Sequence, residues 1–316
     1  MQALLDAIAH AQPTQDAQRV FHGRGGRHPG CDAWTLDFYP PVWVLTCFEP
    51  ATEDTLNTIG EALATRWAQL GTNTPLCWVY QCRDAQHTET RLMAGEVPDP
   101  HTVTEAGLRY RVHVLKGQNH GLFLDMAEGR RWVQAHIEAL VGANGRPKVL
   151  NLFAYTCSFS VVAKAAGARQ VVNIDMAQGA LATGQHNHQL NGLAPGASFL
   201  PHDIFSSWGK LNRLGPYDLV VADPPSYQKG SFVATKDYAR LVRRLPDLLA
   251  PGGHTLLCLN APELGVGFLS DLVREHAPEL VFKGRLANPS AFEDVNPERA
   301  LKVLVFRLPP AGPNAA

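Results

Sequence analysis

Three acidic residues, Asp175, Asp203 and Asp223, each follow an apolar, strand-like run in the second half of the chain. In an open α/β sheet, ligands bind beyond the carboxyl ends of the strands, so these positions suit contact with a small molecule. A carboxylate that closes the second strand accepts hydrogen bonds from the hydroxyls of a ribose, which is the role expected of Asp175. Asp203 has the chemistry to accept a hydrogen bond from an adenine amino group, and a turn or cap carboxylate is the alternative. The pattern favours a nucleoside ligand.

The loop after the first strand-like run contains no glycine. It reads Asn151-Leu152-Phe153-Ala154-Tyr155-Thr156-Cys157-Ser158. A pyrophosphate needs a close backbone approach and therefore glycine, so the loop argues against a nicotinamide oxidoreductase. Small residues at Thr156, Cys157 and Ser158 leave room for the uncharged linker of S-adenosylmethionine. A plain strand-to-helix turn with Ser158 as its N-cap is the alternative.

The segment Asp223-Pro224-Pro225-Ser226-Tyr227 follows the fourth strand-like run. Two prolines fix the backbone and remove two amide donors, so the chain leaves the strand stiffly, with carbonyl acceptors at the crevice. The carboxylate and these carbonyls form an acceptor-rich corner for an amino group or a nitrogen heterocycle, and Tyr227 supplies a flat ring for stacking. A Pro-Pro turn that ends the strand is the alternative. The functional interpretation makes Asp223, Pro224, Pro225 and Tyr227 the catalytic candidates.

Alternating strands and helices must position these residues. From residue 147 onward, strand-like runs alternate with helical periodicity, which indicates βαβ units and a parallel sheet in an α/β fold. The predicted strands are Val149–Phe153, Gln170–Asp175, Ser198–His202, Leu219–Asp223 and His254–Asn260. The predicted helices are Phe159–Ala168, Ala177–Leu190, Thr235–Leu249 and Leu264–Glu275. Two last runs, Leu280–Arg285 and Leu301–Leu308, suit an antiparallel pair at one sheet edge.

The first part of the chain has a different pattern. We expect a smaller N-terminal accessory α/β domain at residues 1–100, with a hypothetical role in substrate binding. Its predicted elements are strands at Trp34–Asp37, Val42–Phe48 and Leu76–Cys82 and a helix at Glu53–Leu70. Residues 101–120 are predicted to form a connecting β-hairpin with its turn near Ala106-Gly107. Residues 121–316 are then the domain that carries the acidic strand ends.

The composition is that of a folded protein. Of 316 residues, 45% are hydrophobic and 18% are charged, which excludes disordered, collagenous and coiled-coil classes. The formal net charge is −1, so any contact with nucleic acid must be local. Six scattered cysteines without a CxxC pair favour buried thiols over a disulfide framework or a zinc site. No leader pattern or long apolar run is present, which predicts a cytoplasmic protein without membrane contact.

The strand-end segments resemble, in order, the motifs of class I S-adenosylmethionine-dependent methyltransferases. Upstream, Glu105–Val112, Gly121–Met126 and Arg130-Arg131 resemble a narrower branch, the bacterial large-subunit ribosomal RNA methyltransferases of the m5C1962/m7G2069 type. The match covers roughly Arg109–Val305. The resemblance implies a seven-stranded Rossmann-like methyltransferase domain at residues 121–316, with S-adenosylmethionine as cofactor and no metal. Together with Thr156 of the first loop, it implies these cofactor-binding residues: Phe123, Asp125, Arg130, Asn151, Tyr155, Asp175, Asp203 and Asp223.

Two departures from that branch bear on the chemistry. The branch has glycine after the threonine of the first loop, where this chain has Cys157. Its members that methylate cytosine C5 carry a nucleophilic cysteine after the fifth strand, where this chain has Asn260. Cys258 lies two residues earlier within an apolar run, which predicts a buried and inert thiol. Methylation at a base nitrogen is therefore expected, with Asp223 and the Pro224 carbonyl holding the base.

A local basic segment indicates the substrate. Residues 228–244 contain five basic residues, Lys229, Lys236, Arg240, Arg243 and Arg244, against one acid. A positive surface beside the crevice suits RNA, in particular 23S rRNA or a ribosomal precursor, and a solvated helix face is the alternative. Lys229, Lys236 and Asn260 are the substrate-binding candidates. The basic and glycine-rich segment at residues 19–28 is a weaker candidate for phosphate contact. Two further alternatives stay open: a methyltransferase for a small molecule or a protein side chain, and a non-catalytic RNA-binding scaffold.

Overall fold

A computed structural model of the chain describes residues 1–84, 88–225, 227–228 and 232–311, without the side chains of Tyr227 and Gln228. The chain divides into two compact units, Met1–Leu124 with Pro289–Pro297, and Asp125–Asn288 with Glu298–Ala316. The hairpin residues 101–120 are part of the first unit. No helix in the described residues has the length and apolarity needed to cross a membrane.

The first unit is built on a five-stranded mixed sheet. Its elements are α1 Gln2–His10, β1 Gln18–His22, β2 Trp34–Tyr39, β3 Val42–Cys47, α2 Glu53–Gln69, β4 Cys77–Arg83 and β5 Thr88–Ala94. The strands lie in chain order, and only β3 and β4 pair in parallel. Apolar side chains of α1 and α2 pack on the sheet around buried Trp43. The unit is thus α/β, as its sequence pattern predicts, although α1, β1 and β5 were not expected.

The predicted hairpin follows as β6 His101–Glu105 and β7 Leu108–Val112. Ala106 and Gly107 form its turn with φ values of 50° and 78°. A two-residue turn with both φ values positive matches the twist of antiparallel strands, and glycine takes this conformation without steric cost.

The second unit has a seven-stranded sheet between two layers of helices. Its elements begin with α3 Ala127–Gly142, β8 Lys148–Leu152, α4 Ser158–Ala165, β9 Gln170–Ile174, α5 Gln178–Leu190, β10 Ala197–Leu200, α6 Trp208–Leu214 and β11 Tyr217–Ala222. They continue with β12 Tyr227–Gln228, β13 Phe232–Val233, α7 Ala234–Val242, α8 Leu245–Leu248, β14 Leu249–Leu259, α9 Val266–His276, β15 Val281–Arg285 and β16 Lys302–Arg307. Apolar residues of α6 to α9 pack on one face of the sheet, and α3 to α5 lie on the other.

The order of the strands brings the carboxyl ends of three central strands together. The order is β10-β9-β8-β11-β14-β16-β15, with β16 antiparallel to both of its neighbours. Leu152, the last residue of β8, pairs with Ile174 and with Ala222, so three parallel strands end at the same level. The chain order reverses between β8 and β11, and α/β proteins bind ligands at such a switch point. The predicted Rossmann-like fold and the antiparallel edge pair are confirmed.

One predicted helix is divided. The expected helix Thr235–Leu249 forms as α7 and α8, because Pro246 has no amide hydrogen for a continuous helix and is instead accepted in the first turn of α8. Residue 249 already belongs to β14, which is longer than expected and passes through Pro251-Gly252-Gly253.

Candidate cofactor and substrate site

Asp175 follows β9 and is fixed by the backbone around it. Its Oδ2 accepts a hydrogen bond from the Tyr155 amide at 2.8 Å, and its Oδ1 accepts one from the Ala177 amide at 2.8 Å. Each carboxylate oxygen has two acceptor sites, so both oxygens retain capacity for a ligand while the group is held in one orientation. The carboxylate is partly exposed. This arrangement suits the hydroxyl-binding role predicted for Asp175.

The glycine-free loop after β8 takes up the conformation that glycine usually supplies. Phe153, Tyr155 and Cys157 have φ values of 56°, 46° and 61°. A left-handed conformation costs a non-glycine residue roughly 1–2 kcal/mol, so the surrounding structure must compensate. Cys157, rather than Ser158, precedes the first residue of α4 and is fully buried. The loop is therefore a strained turn that its neighbours hold in place.

Asn151 lies beneath this loop rather than at the surface of the crevice. Its side chain is 2% exposed, and its Nδ2 donates to Asn173 Oδ1 at 2.9 Å. Asn173 Nδ2 donates to Ser160 Oγ at 2.9 Å, which in turn lies 2.9 Å from His188 Nε2. This buried chain joins β8, β9, α4 and α5. The structure thus gives the Asn151 side chain a supporting position, and direct contact with a cofactor does not fit its burial.

Asp223 follows β11 and lies near two charged residues. These are Asp125, which precedes α3, and Arg130, near the start of α3. Burial and, to a smaller extent, the negative charge of Asp125 raise the pKa of the Asp223 carboxyl, the Arg130 guanidinium opposes both, and the net pKa is about 7. Arg130 is 2% exposed, whereas Asp125 and Asp223 retain partial exposure. The structure therefore brings together three of the predicted site residues at the switch point of the sheet.

Cys258 is buried within β14, as predicted. Burial raises the pKa of its thiol well above the ordinary value, and the charges of Asp223 and Asp125 act in the same direction. Its carbonyl accepts a hydrogen bond of 2.6 Å from the Tyr238 hydroxyl. A neutral, enclosed thiol is a poor nucleophile.

The remaining candidates have varied positions. Asp203 caps the short helical turn Ile204–Ser206, with Oδ1 accepting from the Phe205 amide at 3.1 Å, so the cap that sequence analysis named as an alternative is present.

Tyr155 is partly exposed, and Thr156 is buried. Asn260 after β14 and Lys236 in the first turn of α7 are exposed. Pro224 is buried, and Pro225 is partly exposed. Phe123 is exposed and belongs to the first unit. Lys229 and the side chain of Tyr227 lie outside the described residues.

The basic segment at residues 19–28 has internal partners. Arg19 pairs with Asp37, Arg27 pairs with Glu293, and the Arg24 guanidinium lies 4.0 Å from the ring centre of Phe48. The backbone of Cys31 occupies the space next to Gly23, where a Cβ would otherwise lie. These glycines allow close packing, and the arginine contacts argue against a phosphate-binding role for the segment.

Met176 is a candidate that sequence analysis missed. It follows Asp175 directly, and 54% of its surface is exposed although it is a large apolar residue. A polarisable thioether beside the Asp175 carboxylate offers a contact surface for a flat heterocycle. Its sequence position next to Asp175 was the available signal.

Comparison with known proteins decides the family. The model of the family of S-adenosylmethionine-dependent methyltransferases matches residues 18–307. This chain belongs to that family. The expected cofactor is thereby confirmed, and the oriented carboxylate of Asp175 and the apolar side chain of Met176 fit a nucleoside of this kind. Among the described residues, no group of three or more metal-ligating side chains is close enough to hold a metal ion.

Relatives with assigned substrates are similar over part of their length. Ribosomal RNA large subunit methyltransferase I of Aeromonas salmonicida (strain A449) is 29% identical over 240 residues, which are 72% of this chain and 57% of that protein. Ribosomal RNA large subunit methyltransferase K/L of Psychrobacter sp. (strain PRwf-1) is 34% identical over 178 residues, 54% of this chain and 21% of that protein. This methyltransferase chain thus spans little more than half the length of the first relative.

The fold is also that of a solved structure. A chain from Streptococcus mutans, described as a candidate S-adenosylmethionine-dependent methyltransferase, has a TM-score of 0.77 and 22% sequence identity. The similarity covers 97% of this chain and 81% of that one. The N-terminal unit is therefore included in the shared architecture.

Proposed function

We propose that this methyltransferase modifies a base nitrogen of ribosomal RNA, with Asp223 as the group that holds the base and accepts its proton. The observation that carries the proposal is the position of Asp223 at the switch point with a pKa of about 7. A general base works best when its pKa lies near the operating pH. Asp223 combines that property with partial exposure at the end of β11.

The chemistry asked of the chain is limited. When bound, S-adenosylmethionine supplies an electrophilic methyl group on a sulfonium leaving group. Asp223 and the Pro224 carbonyl hold the base so that the nitrogen lone pair points at the methyl carbon. The proton released from that nitrogen passes to Asp223 Oδ. Asp125 and Arg130 set the charge of Asp223, and Asp175 fixes the loop of Tyr155 on the cofactor side. Positioning of this kind removes a large entropic part of the barrier to a two-substrate transfer.

The burial of Cys258 favours nitrogen over carbon as the acceptor. Methylation of cytosine C5 through a covalent intermediate requires a thiolate that reaches the ring. Cys258 is fully buried and its thiol is held neutral. Asn260, at the exposed position after the strand, has no nucleophilic side chain.

The surface around α6 and α7 supports an RNA substrate. The Arg240 guanidinium lies 4.1 Å from the ring centre of Phe205, and Lys210 Nζ lies 3.3 Å from His202 Nε2. Lys236 on α7 and Arg243, which directly follows α7, are exposed, and the Arg243 guanidinium also lies 3.4 Å from His276 Nε2. Arg240 and Lys210 thus adjoin the loop after β10, and phosphate contacts by such cations dominate the affinity for RNA. Both relatives named above are ribosomal RNA methyltransferases, which favours 23S rRNA or a precursor and a cytoplasmic site of action. We also propose a role in substrate binding for residues 1–100, which belong to the first unit.

Transfer of a labelled methyl group tests the proposal. The protein is incubated with methyl-labelled S-adenosylmethionine and, in parallel, with 23S rRNA, ribosomal subunits, total tRNA and ribosomal proteins. Label in rRNA, followed by mass spectrometric assignment to a base nitrogen, is the expected result. Label on C5 of a cytosine overturns the role of Asp223, and label only in protein or tRNA overturns the choice of substrate.

A further inference from the structure

Gly184 on α5 faces the strained loop after β8. A Cβ placed on Gly184 would overlap Cys157 Sγ and would lie 2.9 Å from Cys157 Cβ and 3.3 Å from the Thr156 carbonyl carbon. Real Cβ atoms essentially never come within 3.0 Å of another heavy atom, so the two contacts with Cys157 mean that a larger residue at 184 would displace Cys157 and its loop. The Cys157 side chain therefore occupies the space that a side chain at residue 184 would need.

A second contact joins α5 to the same loop. Asn187 lies one turn further along the helix, is fully buried, and donates from Nδ2 to the Thr156 carbonyl at 3.0 Å. On the opposite side, Asp175 accepts from the Tyr155 amide. The three successive residues 155–157 are thus each held by a different partner: a carboxylate, an amide and the groove at Gly184.

The Cys157 side chain acts here through its volume. It is fully buried among Ala154 and Leu181, and burial raises the pKa of its thiol well above the usual value. Its Sγ lies 3.7 Å from the Tyr155 carbonyl, the length of a weak hydrogen bond. A residue at φ 61° that is neither glycine nor asparagine needs support of this kind.

We infer that Gly184 and Cys157 form a matched steric pair that sets the position of the cofactor loop, with Asn187 as a second positioning residue on α5. A glycine at residue 157 would adopt the positive φ of this turn without steric cost. Cys157 adopts the same φ because the space beside Gly184 accommodates its side chain. The inference rests on the proposed function in one respect, which is that the loop of residues 153–157 borders the cofactor. Gly184 is a positioning residue, because it acts on the cofactor only through the loop.

A reciprocal exchange tests the pair. Gly184→Ala is compared with the double variant Cys157→Gly/Gly184→Ala, which moves the side-chain volume from the loop to the helix. Gly179→Ala is the matched control, since it lies on the same helix and a Cβ there meets no atom within 4 Å. The Kd for S-adenosylhomocysteine is measured by calorimetry, KM and kcat by methyl transfer, and stability by urea unfolding.

Gly184→Ala is expected to raise the Kd and the KM for the cofactor by roughly tenfold or more, because overpacking of this size is not relieved without displacement of the loop. At saturating cofactor, kcat should stay within about twofold, because Asp223 is untouched. The double variant should return the Kd to within about threefold of the wild type. Gly179→Ala should leave the Kd unchanged.

An unchanged Kd in Gly184→Ala overturns the inference, as does a double variant that binds no better than the single one. If Gly184→Ala fails to fold, recovery of both folding and cofactor binding in the double variant supports the pair, and failure of the double variant overturns it. Wild-type protein that binds no S-adenosylhomocysteine would instead contradict the cofactor site itself. If the Kd values of the variants change as expected but no methyl group is transferred to RNA, the steric pair is supported and only the proposed substrate is contradicted.

Discussion

The Asp223 carboxyl is subject to opposed influences from a small set of neighbours. Burial and the charge of Asp125 favour its protonated form, and Arg130 favours the ionised form. The net effect places its pKa at about 7, where a small change in pH changes the fraction able to accept a proton. A side chain that only closed a turn would need no such environment. The location of perturbed carboxyls at functional sites is a general trend in enzymes.

Replacement of Asp223 by Asn should lower kcat by about 10²- to 10⁴-fold, which is the range for loss of a general base. In the wild type, methyl transfer should increase as the pH rises through about 7, because only the ionised carboxyl accepts a proton. The variant should lack this step. Initial rates between about pH 5.5 and 8.5 at saturating cofactor provide the measurement. An Asn variant with wild-type activity would rule out the proposed role.

The same variant has a stability readout that does not depend on catalysis. The folded pKa of Asp223 lies above the value of 3.8 for an unperturbed carboxyl, so the folded state binds more protons between these two values. The free energy of unfolding contributed by Asp223 is therefore lost as the pH rises toward 7. Asp223→Asn should be more stable than the wild type at pH 8 and should lose that advantage near pH 4. Urea unfolding of the wild type and of Asp223→Asn at both pH values measures this difference in stability.

Replacement of Asp175 by Ala should weaken cofactor binding by roughly 10- to 100-fold while leaving the Kd for RNA unchanged. Two backbone amides, of Tyr155 and Ala177, lose their acceptor in addition to the lost ligand contact. Calorimetry with S-adenosylmethionine measures the effect. Asp223→Ala is the comparison, because it should spare cofactor binding and abolish transfer. Equal losses of cofactor affinity in the two variants would contradict this division of roles.

At the scale of the elements, α7 links the core of the sheet to an exposed basic surface. Tyr238 and Leu241 are fully buried, whereas Lys236 and Arg243, the residue that follows α7, are exposed. Since the net charge of the chain is −1, a local cluster of this kind must provide the phosphate contacts if RNA is the substrate. Arg240 contributes less charge, because it pairs with Asp237 at 2.9 Å.

The double variant Lys236→Gln/Arg243→Gln should weaken binding to RNA whatever the RNA sequence. The slope of log K against log salt concentration should become shallower by roughly one to two, since each lost phosphate contact with a single strand accounts for about 0.7. Lys283→Gln on β15 is the matched control, since Lys283 is exposed and lies on the edge strand. Filter binding to an rRNA fragment at several salt concentrations gives the slopes. If the double variant and the control have identical slopes, Lys236 and Arg243 do not contact RNA and are ordinary solvent-exposed residues.

The elements around the site were largely predictable because their periodicity is strong. Strands β8, β9 and β11 begin and end within two residues of their expected bounds, since each is a short, largely apolar run, and β9 and β11 are each followed by an aspartate. The site was less predictable where a contact joins distant residues. Cys157 and Gly184 are far apart in sequence, and no local pattern relates them. Asn151 occupies the expected strand, but only the packing of α4 and α5 shows that its side chain is buried.

At the scale of the whole molecule, burial keeps histidine side chains of both units in their neutral form. Burial lowers the pKa of His22 to about 4 and of His120 to about 3 in the first unit. In the second unit, burial lowers the pKa of His188 and of His254 to about 4. In the unfolded chain these side chains titrate near 6.5. Both units therefore depend on the same narrow pH range for part of their stability.

The unfolded state binds more protons than the folded state between pH 6.5 and about 4, so the free energy of unfolding should fall as the pH decreases through this range. His188→Gln should show a shallower decrease than the wild type, because the variant has one fewer group to protonate on unfolding. Its stability deficit, from the lost contact with Ser160 Oγ, should be largest near pH 7 and should narrow toward pH 4.5. Urea unfolding of both proteins at several pH values in this range measures the difference. Parallel pH curves for the two proteins would show that His188 does not keep its neutral form in the folded state, and would remove the buried chain from Asn151 to His188 as a source of the acid sensitivity.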